Sequence, residues 1–318
     1  MKKVRFSTTV AIAAIALSIV TISCNTNVEP EMDDSKVELR LASGVEVQKA
    51  PQLRAAFAGS NTQIPNGQTV HVWVDETGGS QMYANNTLTA TGGGGFTGGT
   101  SMFFPQSGGN VDIYAVHTNA VLTSYPTAAL THTVSTDQTA LPGYAPSDLL
   151  YAKKTNVART TAAVQLTFYH LLSKLQVAIV LGNGLAPADI AGVTIGGTKL
   201  SADFTLAKAT APDAIAITAS GTDGDITIGA DISTNFAGGI QYNDVIIVPQ
   251  TVAEGTAFIT VHLVAGGDLV YKIPAGGITF ESSKKYEYQI TANLTGLTLT
   301  STITNWTAVN AIPGTAEM

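Results

Sequence analysis

The chain has 318 residues, a formal net charge of −7 and only 12% charged residues. This acidic balance lacks the basic surface typical of nucleic-acid binders, so no nucleic-acid partner is expected. Glycine is abundant, with 31 residues, and 45% of the chain is hydrophobic, a composition that favours short strands joined by turns. A single cysteine excludes an internal disulfide.

The first 24 residues have the pattern of an export signal that ends at a lipid-attachment site. Basic residues stand at the start, residues 10–20 are almost entirely apolar, and Cys24 follows a small residue. The apolar stretch is shorter than a membrane span. The pattern resembles the lipobox of bacterial lipoproteins, although Thr21 stands where Leu is usual. We therefore expect Cys24 to carry a lipid; the alternative is an ordinary signal with an incidental cysteine.

After this signal, the sequence predicts one strand followed by an exposed linker. Hydrophobic residues alternate in the manner of a half-buried strand, with Ser43 as the only break: Val37, Leu39, Leu41, Val45 and Val47. The linker ends at Arg54, which is followed by Ala55. Exposed linkers are preferred sites of proteolysis, whereas Arg40 lies within the strand, where backbone pairing would protect it. From the residues alone, a solvated surface charge is the simpler explanation of Arg54.

From residue 64 onward, strand-like runs recur with turn signals between them. These runs are 70–74, 111–116, 164–172, 175–181, 245–248, 258–264, 269–273, 286–292 and 297–303. Regular short strands without helical crossovers indicate antiparallel β-sandwiches. The length fits two such domains, predicted at 55–160 and 161–318, after a signal peptide at 1–24 and a propeptide at 25–54.

No pattern in the sequence indicates catalysis. The five histidines lack the spacing of a metal site, and no Gly-x-Ser-x-Gly nucleophile motif is present. The glycine-rich run at 92–98 lacks the strand and helix that a dinucleotide site requires, so it is interpreted as a flexible loop. His170 is expected to be a hydrogen-bonded core residue, and Trp73 and Trp306 to be packing residues. We expect no enzymatic activity, no cofactor and no metal.

Five stretches, taken together, resemble a known family. They are Met102-Phe103-Phe104-Pro105 with 111–115, then 148–152, then 168–175, then Val248-Pro249-Gln250, and the ending from 286 to Trp306. In this order and spacing they are similar to the fimbrillins, or type V pilins, of anaerobic Gram-negative bacteria. The resemblance covers nearly the whole exported chain. It implies an all-β fold of two tandem transthyretin-like antiparallel β-sandwich domains, which agrees with the predicted strands.

The resemblance also implies a life cycle. Fimbrillins are exported as lipoproteins, held at the outer membrane and cut by an arginine-specific surface protease; a neighbouring subunit then fills the exposed groove with its own strand. On this chain Cys24 matches the lipid site, residues 37–47 match the removed strand, and Arg54 and Ala55 flank the cut, with Arg40 as the second possibility. The expected partners are other copies or related pilins and the protease, in a cell-surface fimbria.

The donor strand is expected near the C-terminus, but two assignments remain open. It is formed either by the segment that contains Leu297, Leu299, Ile303 and Trp306, or by the tail up to Met318. The alternative is that residues 297–303 form an ordinary strand within their own domain. Two other functions compete with a stalk subunit: a tip pilin, or a monomeric surface lipoprotein that binds a glycan or host ligand.

Overall fold

The computed structural model describes residues 36–46, 63–122, 125, 128–236, 239–294, 296–304 and 313–315, which consist mainly of strands. The first ten strands are β1 (Leu41–Val45), β2 (Thr69–Glu76), β3 (Gln81–Ala90), β4 (Phe96–Thr97), β5 (Val111–His117), β6 (Leu130–Thr133), β7 (Asp137–Gln138), β8 (Leu150–Val157), β9 (Val164–His170) and β10 (Ser173–Leu181). They are followed by β11 (Ile190–Phe204), β12 (Ile217–Ile228), β13 (Ala230–Phe236), β14 (Gly239–Tyr242), β15 (Val245–Ile247), β16 (Gln250–Val252), β17 (Ala257–Leu263), β18 (Asp268–Lys272), β19 (Ile278–Phe280), β20 (Lys285–Asn293), β21 (Gly296–Thr304) and β22 (Pro313–Thr315).

Helical structure in the described residues is limited to short turns. One α-helical turn, α1 (Leu141–Tyr144), runs into a 3-10 turn at Ala145–Ser147, and two further 3-10 turns lie at Pro187–Asp189 and Pro212–Ala214. No helix within these residues is long and apolar enough to cross a membrane. The predicted all-β class is confirmed.

The strands form three large sheets and one small one. The first sheet has the order β1-β9-β8-β5-β2-β3-β4. The second has the order β13-β14-β10-β20-β21-β22, with β15 also paired to β10. The third has the order β18-β17-β11-β12-β7, with β6 also paired to β11, and β16 pairs with β19 separately. Most ladders are antiparallel, as predicted, but β1–β9, β10–β20 and β7–β12 are parallel.

The first sheet is buried on both faces. In β2, Val72 and Val74 enter one hydrophobic cluster with side chains from β1, β5 and β9, whereas Trp73 enters a second, larger cluster. This follows from the period of two in a strand, which sends successive side chains to opposite faces. The larger cluster also joins the second and third sheets: Phe258 of β17 lies 5.6 Å from Tyr288 of β20, measured between ring centroids. These two sheets therefore form a sandwich.

A two-residue connection links the first sheet to the second. Strand β9 ends at His170 and β10 begins at Ser173, and the intervening Leu171 and Leu172 are buried. This break lies where the sequence changes the parity of its hydrophobic residues. The division predicted at 160/161 falls between β8 and β9, which are neighbours in the first sheet. The tandem arrangement of two domains stays a prediction.

Several strands have no clear signal in the sequence. The segments that form β3, β11 and β12 carry Asn, Thr, Asp or Gly at many positions, so their hydrophobic alternation is weak. The glycine-rich run interpreted as a loop also contains the short strand β4, which pairs with β3.

Candidate functional site

Strand β1 occupies an edge of the first sheet and pairs with β9 along its whole length. The ladder is parallel and runs from Leu41 opposite Val164 to Val45 opposite Phe168. The backbone N–H of Glu46 extends it by donating to the Phe168 carbonyl at 2.9 Å. Strand β1 is therefore the outermost strand on this side of the sheet.

The other side of β1 is also hydrogen-bonded, but to separate short segments. Ser43 donates its N–H to the carbonyl of Gly94 at 2.7 Å, and Leu39 donates to the carbonyl of Met102 at 2.8 Å. Gly94 lies just before β4, which stands at the opposite end of the sheet order from β1. The first sheet thus curls until its two ends meet across β1. We call the space that β1 and its flanking residues (37–46) fill, between β9 and residues 94–104, the β1 slot.

The β1 slot is apolar on its inner side. Leu39 is 3% exposed and Val45 is 4% exposed, while Val37 and Leu41 pack against the same cluster and are partly buried. Ser43, the break in the hydrophobic pattern, also lies inside at 7% exposure. Removing β1 would expose this apolar trough together with unpaired backbone groups on both walls.

Arg40 is tied to the sheet by its side chain and by its backbone. Its guanidinium donates a hydrogen bond to the Thr161 carbonyl, and its carbonyl accepts the N–H of Val164 at 2.8 Å. A protease must bind its substrate as an extended strand free of other backbone pairing, so these bonds shield the Arg40 peptide bond. Arg54 lies in residues 47–62, between β1 and β2 and outside the described residues.

The remaining predicted site residues fall into two groups. Cys24, Val47, Ala55 and Trp306 also lie outside the described residues. The segment with Leu297, Leu299 and Ile303 is β21, which pairs antiparallel with β20 from Asn293 opposite Gly296 to Lys285 opposite Thr304. Strand β22 follows on the free side of β21. Strands β21 and β22 therefore form the last two strands at one end of the second sheet.

The sequence did not indicate the second wall of the β1 slot. Gly94 has a positive φ of +82°, a conformation that favours glycine, and a Cβ at this position would lie 2.9 Å from the carbonyl oxygen of Ser43. The glycine is needed both for the turn and for the close approach of β1. Met102 was noticed only as part of a motif of the family resemblance.

Several ionisable side chains are buried behind the junction between β9 and β10. The His170 Nδ1 lies 2.8 Å from an oxygen of Asp148, and Lys174 forms an ion pair with Asp244 that Lys285 approaches. We call Asp148, His170, Lys174 and Asp244 the buried ionic cluster. His170 is thus a hydrogen-bonded core histidine, as predicted. The cluster joins two stretches of the family motif set, 148–152 and 168–175.

The pKa shifts indicate which members of the cluster carry charge. Burial by itself raises the pKa of the Asp148 carboxyl, but His170, His117 and Lys174 stabilise the carboxylate, so this pKa lies below its ordinary value. Burial lowers the pKa of His170 more than Asp148 raises it. At neutral pH a neutral imidazole therefore donates its Nδ1–H to a carboxylate. This buried hydrogen bond links β9 to a residue that lies shortly before β8.

A hydroxyl, an imidazole and a carboxylate also line up on the surface of the third sheet. His262 Nε2 lies 3.2 Å from Thr194 Oγ1, and His262 Nδ1 lies 2.8 Å from an oxygen of Asp268. The His262 side chain is 37% exposed and the Asp268 side chain 52% exposed. These bonds link neighbouring strands β11, β17 and β18 on an open sheet face.

Two further sequence expectations concern aromatic and metal sites. Trp73 has no exposed surface, so it is a packing residue, as predicted, and is not accessible to a glycan. Among the residues that the structure describes, no group of three or more His, Cys, Asp or Glu side chains could hold a metal ion.

Comparison with known proteins identifies the family. The sequence profile described as fimbrillin-like matches residues 54–306, which is most of the chain. The chain belongs to the fimbrillin-like family. The predicted family is therefore confirmed, and the matched region begins at Arg54.

Solved structures agree in fold. A protein from Bacteroides uniformis, described as a cell adhesion protein, is 20% identical, with a TM-score of 0.59, and the match covers 86% of this chain and 99% of the other. A second one from Bacteroides ovatus, with the same description, is 15% identical, with a TM-score of 0.62, over 87% of this chain and 100% of the other. Comparison with curated proteins found no match.

Proposed function

We propose that this chain is a structural subunit of a cell-surface fimbria that supports adhesion. In this proposal the chain is exported as a lipoprotein, cut after Arg54, and polymerised by strand exchange. The observation that carries the proposal is the β1 slot: one strand, with buried apolar side chains, bonded on both sides and joined to the rest of the chain only through a segment that contains Arg54.

Cleavage after Arg54 would change how β1 is held. In the uncut chain, β1 is tethered next to its slot, so its effective concentration is high and a strand from another copy cannot compete. After the cut, β1 is bound only by its hydrogen bonds and by its buried side chains, worth about 1.5–3 kcal/mol for each fully buried aliphatic residue. A strand from a neighbouring subunit could then replace it by β-augmentation. The slot thus acts as an acceptor that is closed until processing.

The lipid and the cut would have complementary roles. A lipid on Cys24 would hold the precursor at the outer membrane, and cleavage after Arg54 would leave that lipid on the released fragment. An anchor subunit would need no such cut, which favours a stalk role. A tip pilin would accept a strand without donating one and is the second candidate for this chain. A monomeric ligand-binding lipoprotein has less support, because Trp73 is fully buried.

The test uses the full chain with Cys24→Ser, which prevents lipidation, and an arginine-specific protease. We expect one main cut that gives a new N-terminus at Ala55, loss of residues 1–54, and growth of oligomers measured by light scattering. Arg54→Lys should abolish both results, whereas Arg40→Lys and Arg159→Lys should leave them unchanged. Stable monomers after complete cleavage would rule out the stalk role.

A further inference from the structure

The sequence contains a second copy of the pattern that fills the β1 slot. We propose that β21 of a neighbouring subunit enters this slot in one fixed register, with Leu297, Leu299, Ser301 and Ile303 at the positions of Leu39, Leu41, Ser43 and Val45. This inference rests on the proposed function and on the C-terminal donor strand that the family resemblance implies; it adds the register in which that strand aligns.

The β1 slot sets a size requirement at each alternate position. Long aliphatic side chains fill its two ends at Leu39 and Val45. In the middle, Ser43 is buried opposite Leu166, which is 1% exposed, and Gly94 approaches the Ser43 backbone from the other wall. The Ser43 hydroxyl also lies 3.4 Å from the Gly94 carbonyl. The slot therefore requires a small residue between large apolar ones.

This requirement is met at one other place in the chain. The pattern aliphatic-x-aliphatic-x-Ser-x-aliphatic, with Val, Ile or Leu as the aliphatic residue, occurs in the sequence only at 39–45 and 297–303. A shift of one residue would turn every inward position outward. A shift of two would place Leu299 or Ile303 at the small position. The serine therefore fixes the register.

The intervening residues favour exchange over rebinding of β1. In β1 these outward positions hold Arg40, Ala42 and Gly44, whereas 297–303 has a threonine at each corresponding position. Alanine and glycine are poor strand formers, while the β-branched threonine is a good one. The incoming segment also carries Ile303 in place of Val45, which adds one buried methylene group. The replacement strand thus fits the same slot with a stronger strand preference.

The position of β21 in its own sheet allows it to leave. Its order in the second sheet is β10-β20-β21-β22, with β22 as the last strand. Detaching β21 and β22 together breaks one ladder, that between β20 and β21, and the contacts of β21 with β18. In the new position β21 would run parallel to β9, with Leu299 opposite Val164 and Ile303 opposite Phe168.

Disulfide trapping tests the register. In β1, Ala42 pairs with Gln165 and Gly44 pairs with Thr167, and both partners on β9 are exposed. Thr300 would take the place of Ala42. One Cys24→Ser chain carries Thr300→Cys, and a second carries Gln165→Cys; the offset control replaces the latter with Thr167→Cys. The chains are mixed, cut with the arginine-specific protease and oxidised, and cross-linked dimers are measured on non-reducing gels.

We expect about tenfold more cross-linked dimer for the Thr300–Gln165 pair than for the offset pair, because disulfide geometry tolerates little displacement. Oligomers with equal or greater cross-linking at Thr167, or with none at either position, would overturn the register and leave strand exchange intact. Failure to form oligomers at all would overturn both.

A size test at the serine is independent of the cysteines. Ser301→Leu should lower the yield of oligomer about tenfold, because the small position cannot accept a large side chain without strain, whereas Ser301→Ala should change it less than twofold. Urea unfolding of the uncut variants checks that β21 still folds in its own sheet. Normal oligomer yield from a well-folded Ser301→Leu variant would contradict the proposal.

Discussion

Lys174 and Asp244 form an ion pair away from solvent: Nζ lies 2.8 Å from Oδ2, and each side chain is 1% exposed. Strand β10 carries the lysine, and the aspartate immediately precedes β15, which pairs with β10. The Lys174 amine also lies 5.8 Å from the centre of the Tyr144 ring in α1. The pair therefore joins two neighbouring strands of the second sheet, and Lys174 also contacts α1.

Removing one partner of this pair should be strongly destabilising. Asp244→Ala would leave the Lys174 ammonium buried without its carboxylate, a change that typically costs about 3–5 kcal/mol. Urea unfolding of the uncut chain measures the loss. The matched control is Asp223→Ala, whose partner Lys199 lies 3.0 Å away at the surface, with the Asp223 side chain 63% exposed; this change should cost less than about 1 kcal/mol. Equal losses in the two variants would contradict the role of burial.

The free energy of unfolding should decrease as the pH drops below about 6.5, because His132 is buried. Burial lowers its pKa from 6.5 to about 4, although the Ser147 carbonyl opposes the shift. Between these values the unfolded chain binds a proton that the folded chain does not, so acidification favours unfolding. The contribution of His132 to the free energy of unfolding is complete above pH 6.5 and is lost as the pH approaches 4. The contribution lost is about 3 kcal/mol.

The measurement is a series of urea unfolding curves from pH 7 to pH 4. Glutamine does not titrate, so the free energy of unfolding of His132→Gln should change less steeply with pH over this range. Its absolute stability should still be lower than that of the parent chain. The parent chain, measured at the same pH values, is the reference. An unchanged slope in the His132 variant would assign the pH dependence to other groups.

Truncating a side chain inside the β1 slot should weaken the hold on β1. Leu39→Ala removes a buried side chain, and such changes typically cost about 2–5 kcal/mol. In the uncut chain this lowers the melting temperature; in chain cut at Arg54 it should speed the release of residues 1–54, measured by size-exclusion chromatography. The neighbouring exposed Glu38→Ala serves as the control. Equal release rates for the two variants would show that the apolar contacts do not retain β1.

A single methyl group at Gly143 should disturb the contact between α1 and β7. A Cβ at Gly143 in α1 would overlap the carbonyl oxygen of Asp137, so Gly143→Ala must displace the backbone of α1 or β7. At Gly192 an added Cβ meets no atom within 4 Å. We expect Gly143→Ala to lose about 1–3 kcal/mol and Gly192→Ala to be nearly neutral in thermal unfolding. Similar melting temperatures in the two variants would mean that α1 and β7 move apart without a cost in stability.

The sequence predicted those features that depend on local pattern. The alternation from Val37 to Val45 reports the two faces of β1. The parity change near Leu172 indicates a local break in the strand, and the structure shows that the chain passes from one sheet to the next there. In both cases the period of two in a strand carries the information. The serine at position 43 was treated as a break in this pattern, but it follows the same parity and lies inside.

Features made by distant segments could not be predicted in this way. The second wall of the β1 slot joins Ser43 to Gly94 and Leu39 to Met102, and no periodicity links those positions. The buried ionic cluster assembles Asp148, His170 and Lys174 with Asp244. Only His170 was expected in the core; nothing in the local pattern around Asp148, Lys174 or Asp244 shows that these side chains are buried.

The short passage from β9 to β10 has a mechanical consequence for a fibre built through the β1 slot. Tension from a strand held in that slot would enter the subunit at both walls, β9 and residues 94–104. From β9 it would cross Leu171 and Leu172 and continue into β10. From there it would reach β20, which pairs with β10 over eight rungs, and leave through β21. The force would act parallel to the strands of these ladders, so many hydrogen bonds would have to break together. Strands β11 and β12 would lie outside the stressed path, so their sequences could vary without weakening the filament.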